Sequence, residues 1–133
     1  MGCDIHAQVD WDEYGDGQWQ AQIWYGKLSL PRSYRMFGAL MNGHARYPDD
    51  AFAPPERGAV EAWPESDRYD PDTGNMGDWG FSWITLTELD AAIARVEAEW
   101  PGSRMYEYRA VAEYMRELER SGNPTRFVFG FDS

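Results

Sequence analysis

Asp4 and His6 are the residues whose types and spacing could most readily do chemistry together. They lie two apart in Met1-Gly2-Cys3-Asp4-Ile5-His6-Ala7-Gln8-Val9-Asp10-Trp11, where apolar and polar residues alternate without a break. Side chains alternate across a strand with period two, so Cys3, Ile5, Ala7, Val9 and Trp11 share one face and Asp4, His6, Gln8, Asp10 and Asp12 the other. Two side chains at that spacing stand about 7 Å apart or closer at their tips. A carboxylate there can orient an imidazole for general acid–base work, and the pair can equally be a structural polar contact on a sheet. Cys3 points the other way and cannot join them. Two ligands fall short of the three protein ligands a zinc site needs. The second of the chain's 2 histidines is His44, and Asp78 or Asp10 would have to complete a carboxylate-rich site. The expectation is no metal and no cofactor.

Arg32 and Arg35 form a second candidate group. On a helix they would be surface neighbours, and guanidinium forks take phosphate or carboxylate in two-pronged fashion. Pairing with some of the 23 acids is the competing reading. A third group is Asp78, Gly80 and Ser82, which read as a tight turn leading to a helix start and able to present backbone amides to an anion. Ser82-Trp83 can also be only an entry turn with Trp83 in the core.

These side chains need a scaffold, and its elements can be read in order. A second strand, Gln18 to Tyr25, follows the turn residues Gly15-Asp16-Gly17, and its wet face carries Gln18, Gln20, Gln22 and Trp24. Pro31 opens a helix that ends at Asn42-Gly43. Residues 44–81 hold five prolines, Pro48, Pro54, Pro55, Pro64 and Pro71, with no lasting periodicity. They read as a long irregular loop, folded back because it carries Tyr47, Trp63, Tyr69 and Trp79. Thr85-Leu86-Thr87-Glu88 fits a capping box for a helix to Trp100, and Ser103 is the expected cap of a third helix to Arg120. Thr125 to Phe131 is a last strand. The order β-β-α-loop-α-α-β predicts a single α+β domain over residues 1–133: a mainly antiparallel sheet, built from the N-terminal hairpin and the C-terminal strand, with three helices packed on one face and a long central loop.

Three blocks, Gly2-Cys3-Asp4-Ile5-His6, Arg32-Ser33-Tyr34-Arg35-Met36-Phe37-Gly38-Ala39-Leu40 and Ser82-Trp83-Ile84-Thr85-Leu86-Thr87-Glu88-Leu89, resemble a group of small bacteriophage and prophage proteins that open with Met-Gly-Cys-Asp-Ile-His. The resemblance spans residues 1 to 90. In that group the third block follows an Asp, often with His-Ser after it; here the stretch is Asp78-Trp79-Gly80-Phe81-Ser82, without the histidine. The resemblance implies a phage origin and a cytoplasmic role in an infected bacterium.

Composition narrows the partners. A formal charge of −11 disfavours direct nucleic-acid binding, because phosphates must be met by a basic surface. The charge is uneven: residues 27–57 carry five bases against three acids, whereas residues 58–107 carry eleven acids against three bases. One basic island in an acidic chain is the natural seat for an anionic ligand. With aromatics at 16%, stacking surfaces are expected besides core. A single cysteine forms no intramolecular disulfide. No run reaches the length of a membrane helix, no signal-peptide pattern precedes Cys3, and His6 stands where an acylated amino terminus has Ser or Thr.

The leading expectation is therefore an accessory protein that binds a small anionic, nucleotide-like ligand without turnover, through Asp4, His6, Trp24, Arg32, Arg35, Asp78, Ser82 and Trp83. Sequestering a nucleotide-derived defence signal is one version, by analogy. Two alternatives remain open: an acidic inhibitor that mimics DNA and occludes a host protein, and a small hydrolase using His6 with Asp4 as its orienter. No membrane partner is expected, and the oligomeric state is not legible.

Overall fold

The structure, a computed structural model, describes residues 3–22, 30–41, 53–58 and 79–132. Its elements are β1 (Asp4–Trp11), β2 (Gln20–Ala21), α1 (Tyr34–Leu40), β3 (Trp79–Ile84), α2 (Leu86–Glu99), α3 (Tyr106–Glu119) and β4 (Thr125–Asp132). The strands form one sheet in the order β2-β1-β4-β3, every neighbouring pair antiparallel. With three helices among the described residues, this is the α+β domain that the order of elements implies.

Alternation in β1 and β4 decides where the core lies. Ile5, Ala7 and Val9 pair across the strands with Phe131, Phe129 and Phe127. All six are buried. They meet Met36, Phe37 and Leu40 of α1, Leu89, Ile93 and Val96 of α2, and Tyr108, Ala112 and Met115 of α3 in one apolar cluster. Phe37 and Phe131 bring ring centroids to 5.0 Å, and Phe129 meets Phe131 edge-on at 5.6 Å. Burying six such strand side chains contributes on the order of 10 kcal/mol before chain entropy is set against it.

Local chemistry moves several boundaries away from the sequence expectation. The second strand shrinks to Gln20–Ala21 because residues 12–17 form a broad turn, in which the Asp12 carboxylate accepts from the amides of Asp16 and Gly17 at 3.1 Å each. Pairing thus begins only at Trp11 with Gln20. Residues 23–25 of the expected strand, Trp24 among them, lie outside the described residues. Helix α1 starts at Tyr34 rather than Pro31, since the Ser33 hydroxyl caps it by accepting from Met36 N at 3.3 Å. It ends where Met41 turns extended (φ −147°), while Asn42-Gly43 fall outside the described residues. The capping box of α2 forms as expected, Thr85 and Glu88 answering one another's backbone. Ser103 does not cap α3: Met105 holds that position without a side-chain hydrogen bond, and the Ser103 hydroxyl is buried with no partner among the described residues.

The largest correction is β3. Residues 79–84 are an edge strand rather than the end of a loop and an entry turn. A bulge between Trp79 and Ser82 breaks the period-two pattern, so no alternation announces the strand. Gly80 makes the bulge possible. Its φ is +66°, and a Cβ there would stand 2.8 Å from the Phe131 ring. Of the rest of the expected loop, 53–58 is irregular, and 44–52 and 59–78 lie outside the described residues.

Candidate functional site

The second face of the sheet carries Asp4, His6, Gln8 and Asp10 from β1 and Arg126, Val128, Gly130 and Asp132 from β4. This face is not uniformly wet. At one end Arg126 and Asp10 are an ion pair with side chains only 6% and 1% exposed, Arg126 Nε donating to Asp10 Oδ2 at 3.0 Å. Gln8 Nε2 donates to the other carboxylate oxygen at 2.7 Å. Burial pushes the Asp10 carboxyl above its ordinary value, opposed by the charge and hydrogen bond of Arg126. Two indoles shield the pair: the Arg126 guanidinium lies 4.3 Å from the Trp19 ring centroid and 5.9 Å from that of Trp83.

Trp83 is covered from a second direction. Arg57 sits 4.7 Å from its centroid, donates through Nη1 to the Trp83 carbonyl at 2.9 Å, and forks onto Glu88 at 2.7 and 2.8 Å. Its backbone amide donates to the Ser82 hydroxyl at 2.9 Å. The Arg57 hydrogen bonds, aided by those of Thr85, hold the Glu88 carboxyl below its ordinary value. Ser82 and Trp83 therefore do structural work: they fasten residues 53–58 to β3 and the start of α2.

The opposite end of the face is open to solvent, and there the sequence candidates do converge. Antiparallel register sets Asp4 directly across from Asp132 and His6 across from Gly130, which has no side chain to crowd the imidazole. His6 Nε2 is in hydrogen-bond contact with Asp132 Oδ2, the two side chains being 21% and 37% exposed. An ionised carboxylate only accepts, so Nε2 carries the proton and, in the neutral ring, Nδ1 carries the lone pair. Asp4 is engaged elsewhere. Arg32 Nε donates to its Oδ1 at 2.5 Å and Arg32 Nη2 to its Oδ2 at 3.1 Å. Those bonds, with the charges of Arg32 and His6, hold the Asp4 carboxyl below its ordinary range. The orienter of His6 is thus Asp132, not Asp4: the imidazole Nε2 meets Asp132, while Asp4 is turned to the Arg32 fork.

The arginines separate. Arg32 precedes the Ser33 cap, so it is not on the helix and its side chain reaches the sheet end. Arg35, in the first turn of α1, lies with its guanidinium carbon 3.8 Å from the Trp100 ring centroid, at the end of α2. Its Nη1 is buried with no hydrogen-bond partner among the described residues. Trp24 and Asp78 lie outside the described residues. What sequence reasoning missed is Asp132. The signal was present: Arg126, Val128, Gly130 and Asp132 alternate with three phenylalanines, and antiparallel pairing of the first strand with the last brings Asp132 beside Asp4.

Among the described residues no group of three or more His, Cys, Asp and Glu side chains is placed to hold a metal ion, and no helix is long and apolar enough to cross a membrane. A further concavity is a groove of about 160 Å³ between α2 and α3, where Arg109 and Arg116 are paired with Glu97, Asp90 and Glu113. No family model, curated protein or solved structure matches the chain.

Proposed function

We propose that this chain is a phage-type accessory protein acting in the cytoplasm of an infected bacterium, and that it binds a small anionic, nucleotide-like ligand at the open end of the sheet. One observation carries the reading. Asp4 fixes the Arg32 guanidinium through Nε and one Nη2 proton, which leaves three of the five N–H donors, along the Nη1/Nη2 edge, without a partner among the described residues. The Arg32 side chain as a whole is 52% exposed. A fork held rigid by a carboxylate on one side and open on the other suits bidentate capture of a phosphate, because its orientation is set before the ligand arrives. His6 and Asp132 beside it supply polar recognition. The nucleotide-like class rests on the abundance of aromatic side chains and on the phage resemblance, which favours an anti-defence role by sequestration.

Calorimetric titration with inorganic phosphate, mononucleotides, cyclic dinucleotides and ADP-ribose tests this reading. Arg32→Ala should weaken binding by about 10- to 100-fold, the loss of a charge-assisted fork worth roughly 1.5–3 kcal/mol. Arg32→Lys should restore it only in part, since an ammonium cannot reproduce the fork. Arg35→Ala, remote on Trp100, should bind as wild type does. No heat with any member, or equal heat from Arg32→Ala, overturns the reading. Co-purification with a host protein in place of ligand heat would favour the acidic-inhibitor alternative, which the charge of −11 supports.

A further inference from the structure

We infer that the open end of the sheet turns its ligand over rather than only holding it, as a hydrolytic centre with His6 as general base and Asp132 as its positioning residue, acting on a phosphate ester or phosphoanhydride whose phosphate lies on Arg32. The inference rests on the ligand reading above for the place of the phosphate, and on separate geometry for the chemistry.

Asp132 accepts from Nε2 and so fixes both the tautomer and the plane of the imidazole. Nδ1 then bears the lone pair, and His6 makes no second hydrogen bond among the described residues. The His6 side chain is 21% exposed, so Nδ1 is within reach of solvent and of a ligand on Arg32. Water is the nucleophile of the step, and neither the thiol nor the phenol nearest the site is placed to take that part. Cys3 is buried on the opposite side with its thiol directed to the Asp4 carbonyl, and the Tyr34 hydroxyl accepts from Cys3 N at 3.2 Å.

The step balances without a further reactant. A water oxygen bonds to phosphorus as its proton passes to His6 Nδ1; the bond from phosphorus to the leaving oxygen breaks on the opposite side, where that oxygen takes a proton from solvent; the imidazolium then releases its proton to solvent. One water is consumed and nothing is oxidised or reduced. Asp132 stays ionised and stabilises the transient imidazolium, while the outer edge of Arg32 meets the charge growing on the non-bridging oxygens.

The test follows product by phosphorus NMR and chromatography, using bis(4-nitrophenyl) phosphate together with cyclic dinucleotides and ADP-ribose, beside calorimetry on the same samples. The wild-type chain should release product. His6→Gln should lose turnover at least 100-fold, in line with the 10²- to 10⁴-fold typical of a general base, while binding weakens far less because the Arg32 fork is intact. Asp132→Asn should lose about 10-fold or more in kcat, change KM by a smaller factor than kcat, and move the acidic limb of the kcat profile to lower pH, because the imidazolium has lost its carboxylate; a merely structural role would not move that limb. Should His6→Gln fail to fold, the pH profile of Asp132→Asn decides between the two roles. Binding heat without product, or product formed equally by both variants, overturns this inference and leaves the ligand reading standing; absence of both heat and product overturns the two together.

Discussion

Replacing Arg126 by Met tests whether the sheet's second face is held by a charge or by its two tryptophans. Met keeps the length and apolar stem, and its thioether can still lie against Trp19 and Trp83, so contact with the indoles is largely preserved. What disappears is the cation opposite Asp10, whose side chain is 1% exposed and then retains only Gln8 as donor among the described residues. Removing one partner of a buried pair typically costs about 3–5 kcal/mol, since the remaining charge has neither water nor counter-ion. For a chain of 133 residues each kcal/mol corresponds to about 4 °C in Tm, so the expected fall is about 12–20 °C. Urea unfolding as a function of pH adds a second readout. Burial already raises Asp10 above its ordinary 3.8, and without Arg126 the folded value rises further. A carboxyl raised on folding contributes stability that is complete below the unfolded value and lost as pH rises through the folded one. The variant should therefore recover part of its deficit as pH is lowered from 7 toward 4. Asp10→Leu combined with Arg126→Met should be less damaging than the two single costs added, because no uncompensated charge is left. A single-variant loss under about 1 kcal/mol, or strict additivity, would refute the reasoning.

Two further outcomes follow from the fold. Gly80→Ala should destabilise by about 2–4 kcal/mol in chemical denaturation, from the left-handed backbone and the 2.8 Å approach to Phe131; a loss below 1 kcal/mol would mean the bulge relaxes freely. Glu88→Gln should keep the capping box yet weaken the Arg57 fork, costing about 0.5–1 kcal/mol at neutral pH. Glu88 is held below 4.5 in the fold, so its contribution is present above 4.5 and lost as pH falls through the folded value; the gap between variant and wild type should close over that range, and a gap unchanged at pH 3 would contradict the ion pair.

How much was legible depended on whether an element obeyed a simple period. β1 and β4 set their core residues at every second position and α2 announces its own cap, so the core faces of the strands and the start of the helix could be read directly. β3 could not, because Gly80 and the bulge destroy its alternation and both faces of the strand carry large side chains. The length of α1 turned on one hydroxyl, Ser33, competing with Pro31 as the starting signal. Of the expected site, Asp4, His6 and Arg32 do converge, whereas Arg35, Ser82 and Trp83 were assigned to ligand on residue type and local spacing. A guanidinium or an indole can be occupied by the protein itself, as Arg35 is by Trp100 and Trp83 by Arg57, and nothing in local sequence reveals such a long-range partner.

The same long-range logic explains why the open end behaves differently from the rest of the sheet. At the closed end Asp10 faces Arg126 across the strands, a complementary pair that packing can bury. At the open end Asp4 faces Asp132, and like charges placed directly opposite destabilise a ladder. The chain tolerates that repulsion by giving each carboxylate a separate partner, Arg32 for one and His6 for the other, both brought by side chains that remain partly in solvent. A sheet needing only stability would place a neutral or complementary pair there. Two carboxylates kept apart by a cation and an imidazole, each with hydrogen-bonding capacity to spare, instead form an arrangement whose local cost is understandable if something binds across it.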